Sequence, residues 1–212
     1  MGLHYDGEVR IFKVECGNWG NNAYIVADPK TGDSVIIDTP PEPEKVLAEA
    51  QGLHVKAILI THNHSDHLVG FQEIRANTGS PVWIHSADAS ALPNPPEHPL
   101  EHGEVMQLGT IEIEVIHTPG HTPGATCYRV GKHLFSGDTL FPGGPGHSSS
   151  PASLHETISS ITERLFSLPD DTVVYPGHGG DTDIGTAKAE YQVFASKPHS
   201  PDLYGDVLWL ES

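Results

Sequence analysis

The segment that most restricts this chain is "VKAILITHNHSDH" (55–67), an apolar run that passes directly into three histidines and one aspartate. A short apolar run bounded by turn chemistry suits a strand buried on both faces. His62 and His64 stand two apart, so in extended backbone they project to one side. Asp66 and His67 follow at a turn, where a second donor direction opens. Imidazole and carboxylate groups ligate Zn2+ and related divalent ions at about 2.0–2.2 Å. A fold that accepts this segment must end a buried strand at a cluster of metal-type donors.

Three further donors occur in the same context, each just after a strand signal. His121 lies in "HTPGHTPG", Asp138 closes "HLFSGD" after Gly137, and His178 lies in "VVYPGHGG". Gly137 admits close backbone approach. Any one of these alone reads as a turn residue. Together with the first cluster they make five histidines and two aspartates, enough for two adjacent metal sites.

Around these turns the pattern repeats an order. "VRIFKV" (9–14), "NAYIVA" (22–27) and "SVIIDT" (34–39) read as a β-meander, and 41–53 as a helix ending near Gly52. After the strand 55–60 come a helix over 67–79 and a strand over 81–85. Residues 86–103 are proline-rich and contain His98 and His102, which predicts a surface loop rather than a lid. Strands follow at 111–117, 125–130 and 132–138. A helix over 153–168 is predicted to start with a Ser153–Glu156 capping box. A strand at 172–176 and a helix over 182–194 complete the series. No linker composition divides the chain, so one domain over 1–212 is expected.

Charge narrows the function. Acidic residues outnumber basic ones 28 to 11, a formal net charge of −17. Affinity for phosphate backbones and anionic lipid comes from Lys and Arg, so no nucleic acid and no membrane surface is expected as partner. No apolar run approaches the ~20 residues of a membrane span. The N-terminal segment lacks the pattern of a secretory signal, so the expected location is the cytoplasm. Cys16 and Cys127 form no CxxC pair and are read as free buried thiols.

The motifs "THNHSDH", the glycine of "LVG", "TPGHTPG", "FSGDTLF" and "YPGHG" resemble, in order, those of the metallo-β-lactamase superfamily, specifically its glyoxalase II-like branch. "NNAYIV" and "VIIDT" resemble that superfamily's first strands. The resemblance implies an α/β (α+β) fold, a four-layer αββα sandwich with the metal site at one edge. It implies His62, His64 and His121 on one ion, Asp66, His67 and His178 on a second, and Asp138 bridging them. Zinc is the first expectation, and iron or manganese fit the same ligands. The implied reaction is hydrolysis of a small ester or thioester by a hydroxide shared between the metals, with Asp66 orienting it and carrying a proton. Asp38 reads equally as a strand-end cap or as the partner of a ligand histidine. His147 reads as a loop residue or a substrate contact.

Departures from relatives sharpen the expectation. Zinc β-lactamases usually carry cysteine where this chain has Asp138, which disfavours antibiotic hydrolysis. The glutathione-type segment is replaced by "GGPGHSSSP", and Lys197 is the only basic residue of the last 18, which disfavours a glutathione thioester. The alternatives are a persulfide dioxygenase with one iron on His62, His121 and Asp138, a lactone hydrolase, and a catalytically silent metal-binding module. "VLWL" (207–210) reads as a tail packed on the core or as a homodimer contact.

Overall fold

In the computed structural model, which describes residues 2–212, period-two alternation sorts the apolar residues into three layers. The first sheet comprises β1 (Gly2–Asp6), β2 (Arg10–Cys16), β3 (Asn21–Ala27), β4 (Asp33–Ile37), β5 (His54–Leu59), β6 (Val82–His85) and β7 (His98–Leu100), in that spatial order. It is antiparallel from β1 to β4 and parallel from β4 to β7. The parallel half has α1 (Pro43–Glu49) between β4 and β5, and α2 (Phe71–Thr78) between β5 and β6.

The second sheet is built from β8 (Val105–Leu108), β9 (Ile111–His117), β10 (Thr126–Val130) and β11 (His133–Gly137). A small hairpin, β12 (Leu140–Phe141) and β13 (Gly144–Pro145), and helix α3 (Pro151–Ser160) follow. Then come β14 (Val173–Pro176), β15 (Thr182–Asp183) and α4 (Ile184–Ala195). Its order is β15-β14-β11-β10-β9-β8, and β11 and β14 pair in parallel across the α3 connection.

Neighbouring residues on each strand face opposite layers. Val26, Ile37 and Leu59 point inward to meet Val115, Tyr128 and Phe135 of the second sheet. Ile25, Ile36 and Ile58 point outward, against Val46 of α1 and Phe71 and Ile74 of α2. On the far side Cys127, Leu134 and Val174 pack on Leu154, Ile184 and Phe194 of α3 and α4. Each such side chain contributes about 1.5–3 kcal/mol on burial. The result is the αββα sandwich, with β3 buried along its whole length.

Several boundaries differ from the sequence reading. Helix α3 begins two residues before the expected 153, because Ser150, not Ser153, is its N-cap. The Ser150 hydroxyl accepts from the Ser153 amide, Ser153 returns the bond to the Ser150 amide, and Pro151 opens the helix. The helix expected over 67–79 starts only at Phe71, because 65–67 form a single 3-10 turn. Within 86–103, residues His98–Leu100 form the edge strand β7, with His98 stacked on Trp83 and bonded to Glu104. Strands β1, β8, β12 and β13 have no counterpart in the sequence reading, and β15 occupies the first two residues of the helix expected over 182–194. The tail is packed on the core through Val207 and Trp209, whereas Leu208 and Leu210 face outward. Both cysteines are free and buried, as the sequence indicated.

Candidate metal centre

All seven donors converge at one edge of the sandwich, and they come from both sheets. His62 and His64 follow the end of β5, and Asp66 and His67 occupy the 3-10 turn after it. His121 lies between β9 and β10, Asp138 directly follows β11, and His178 follows β14. Three sets each place one ligand atom per residue within 4.8 Å of the others: His62, His64 and His121; Asp66, His67 and His178; and His62, His67 and Asp138. The third set joins the other two.

Hydrogen bonds fix which imidazole nitrogen faces the centre. His121 Nδ1 lies 2.8 Å from the His147 carbonyl oxygen, and His178 Nδ1 lies 3.0 Å from that of Trp19. A carbonyl only accepts, so both Nδ1 atoms are donors. His67 Nδ1 donates to the Asp38 carboxylate at 2.9 Å. The Thr61 hydroxyl donates to Asp38 Oδ2 at 2.7 Å and so accepts from His62 Nδ1 at 2.9 Å. In all four rings Nε2 is left to face inward.

Those inward atoms are crowded. His67 Nε2 and His178 Nε2 are 3.1 Å apart, and His121 Nε2 and His64 Nδ1 are 2.9 Å apart. Lone pairs cannot face each other at that range unless a proton or a cation stands between them. A tetrahedral ion with bonds of about 2.0–2.1 Å sets its ligand atoms about 3.4 Å apart, close to this spacing. His62 Nε2 and Asp138 Oδ1 are buried without any hydrogen-bond partner, a costly arrangement that a bound cation relieves. The residues present therefore fit divalent metal.

Asp138 lies between the two sets. Its Oδ1 is 3.5 Å from His67 Nε2, and its Oδ2 is 3.7 Å from His121 Nε2 and 3.5 Å from His178 Nε2. Burial acts to raise its pKa. The neighbouring imidazoles of His178, His67, His62 and His121 outweigh burial and hold it far below the usual carboxylate range. Burial acts to lower His67, but the charge and hydrogen bond of Asp38, then Asp138 and Asp66, push it up to about 9. His62 is driven down, by burial first and then by His67.

The local backbone is shaped for this closeness. Gly177 has no room for a side chain: a Cβ there would collide with Asp138 Oδ1 and stand 2.7 Å from His67 Cε1. Gly137, at φ 49°, would set a Cβ 2.7 Å from Thr61 Cβ. The loop bearing His178 is tied to β3, since Tyr24 and Asn22 donate to the Pro176 carbonyl at 2.7 and 3.0 Å. Asp38 itself has left-handed backbone, φ 61°, and is buried. It serves as both a strand-end acceptor, taking the Thr61 amide at 2.8 Å, and the His67 partner.

Three contributors escaped the sequence reading. Asn21 donates to Asp66 Oδ2 at 2.8 Å and aims that carboxylate. Asp88, fully buried, accepts from the Asn63 amide, the Thr122 hydroxyl and the Gly124 amide, so it joins the two histidine loops. Thr61 links His62 to Asp38. Thr61 and Asn21 open the quoted motifs "THNHSDH" and "NNAYIV" but carry no metal-type donor, and Asp88 lies in no motif. His147 contributes to His121 through its carbonyl, while its exposed side chain pairs with Asp206 at 2.8 Å.

An αββα sandwich whose two sheets together carry a His/Asp metal-binding edge defines a class of metalloproteins. Within it the chain belongs to the metallo-beta-lactamase superfamily, whose sequence profile matches residues 16–178. A hydroxyacylglutathione hydrolase from Polaromonas sp. (strain JS666 / ATCC BAA-500) is 37% identical over 171 residues, 76% of this chain and 64% of that one. The chain thus spans less than two thirds of that relative's length. The structure of TTHA1623 in a di-iron-bound form is 37% identical with a TM-score of 0.70, covering 82% of this chain and 96% of that one. ETHE1 from Myxococcus xanthus is 28% identical with a TM-score of 0.77, covering 89% and 85%. No helix among the described residues is long and apolar enough to cross a membrane.

Proposed function

We propose that this protein is a dinuclear metallo-hydrolase that cleaves a small ester or thioester. The observation that carries this reading is the pair of three-donor sets joined by one carboxylate, Asp138. His62, His64 and His121 would hold one ion, Asp66, His67 and His178 the other, and Asp138 both. Bound there, two divalent cations would acidify a water and polarise a carbonyl oxygen.

The chain's own groups supply orientation and proton handling. The Asn21 amide holds Asp66 with one oxygen toward His67 and His178, at 3.6 and 3.3 Å. In the reaction the carbonyl carbon gains a bond to the water oxygen and loses its bond to the leaving oxygen or sulfur. One water proton leaves with that group, and Asp66 is placed to carry it. Zinc suits these nitrogen and oxygen donors. Iron is the specific alternative, because TTHA1623, 37% identical, was solved in a di-iron-bound form.

Elemental analysis of the purified protein, paired with hydrolysis of p-nitrophenyl acetate, tests the proposal. Two metals per chain and metal-dependent release of p-nitrophenol are expected. One iron per chain together with oxygen uptake on a persulfide would replace it with the oxygenase reading.

A further inference from the structure

The metal edge opens on one side into a cleft of about 310 Å3, with Asp138 and His178 among its lining residues. Two segments far apart in sequence build its walls. One is the β12–β13 hairpin, which supplies Phe141, Pro142 and Pro145; the other is the tail, which supplies Val207 and Leu208.

The tail is strapped down at both ends of the cleft. Ser148 and Gly205 exchange backbone hydrogen bonds at 3.1 Å each way, and the Trp209 amide donates to the Gly143 carbonyl at 2.8 Å. Trp209 is fully buried and anchors that end. Gly144 permits the close fit, since a Cβ there would lie 2.5 Å from the Val207 carbonyl oxygen. Residues 206–208 are thereby held beside the metal edge.

Charge then selects the occupant. Lys and Arg are absent from the lining, and the carboxylates present are Asp138 and Asp206, the latter paired with His147. A ligand group bearing carboxylates, such as a glutathione-type peptide, would find no Lys or Arg on the walls away from the metal ligands, and would face the Asp206 carboxylate there. Apolar rings and the Leu208 side chain instead offer surface to hydrocarbon. At ~30 Å3 per small heavy-atom group the volume accepts about ten non-hydrogen atoms.

We propose that this cleft is the acyl-group site and that it takes an uncharged, apolar acyl chain of medium length. The assignment rests on the hydrolase reading above. It makes Phe141 and Leu208 the residues that set specificity, and makes the tail part of the substrate site.

The experiment uses the metal-loaded full chain and p-nitrophenyl esters from acetyl to hexanoyl, with the mono-glutaryl ester as the charged comparison. kcat/KM is expected to rise about fourfold per added methylene, as burial of hydrocarbon predicts. The glutaryl ester should fall at least tenfold below the pentanoyl ester. Leu208→Asp should flatten the chain-length dependence while metal content stays at the wild-type value, and Leu208→Ala should flatten it partly. Hydrolysis indifferent to chain length, a preference for glutaryl, or a wild-type slope in Leu208→Asp would overturn the cleft assignment and leave the hydrolase standing. No hydrolysis of any ester would overturn both.

Discussion

Asp38 Oδ2 lies 2.9 Å from His67 Nδ1 and 2.7 Å from the Thr61 hydroxyl, which in turn meets His62 Nδ1. One buried carboxylate therefore orients two imidazoles, one in each three-donor set. Its left-handed backbone, φ 61°, is the conformation that lets a strand end turn its side chain back toward the edge. Asparagine tolerates that conformation better than most residues. Asp38→Asn thus keeps the backbone and removes the charge. It should weaken metal binding about 10- to 100-fold, the usual effect of losing a histidine's partner. Metal content after dialysis checks this, and wild-type retention would refute the orienting role.

Gly177→Ala should abolish metal loading without unfolding the chain. The added methyl would occupy space held by Asp138 Oδ1 and approach His67 Cε1. Circular dichroism should match wild type while metal analysis and ester hydrolysis fall to background. A variant that loads two metals would show that the loop can yield.

Asp88→Ala tests the link between the histidine loops. It leaves the Asn63 and Gly124 amides and the Thr122 hydroxyl without their acceptor in a buried place. Losing hydrogen bonds to a charged group and stranding donors should cost about 3 kcal/mol or more. For a chain of this size that corresponds to a fall in Tm of about 6–12 °C. A Tm within a degree of wild type would exclude the bracing role.

Asp28 gives a pH signature away from the metal edge. Burial acts to raise its carboxyl, but the Lys30 and Thr110 amides, bonded at 2.8 and 2.6 Å, outweigh it and hold the pKa down to about 2. A depressed pKa contributes stability that is present above the unfolded value of about 3.9 and lost as pH falls through the folded value. The stability gap between wild type and Asp28→Asn in urea titrations should therefore narrow from pH 4 to pH 2. A gap constant across that window would contradict it.

The donors themselves were legible because each follows a strand and carries its own turn chemistry: "THNHSDH", "PGH", "SGD" and "PGHG". The strands at 22–27 and 34–39 were legible as such, while the division of Ile25 from Val26, and of Ile36 from Ile37, between two apolar layers is seen in the structure. What supports the donors was not legible, for a physical reason. Asn21 meets Asp66 across 45 positions and Asp88 meets Gly124 across 36, so only tertiary packing pairs them. Asp38 was readable as either of two roles and fills both. The α3 cap was misplaced because Ser150 and Ser153 both offer a hydroxyl, and Pro151 decides between them. The tail's part in the cleft depends on Ser148 finding Gly205, a pairing that no local pattern announces.

The placement of donors on both sheets orders events during synthesis. His62 through His67 leave the ribosome early, but His178 is the last of the seven and lies 116 positions after His62. At ~5–20 residues per second the set stays incomplete for on the order of ten seconds. During that interval the nascent chain offers only partial chelation to passing cations. His62, His64, His121 and Asp138 are all in the chain by residue 138, so only the second set, which needs His178, waits until β14 docks.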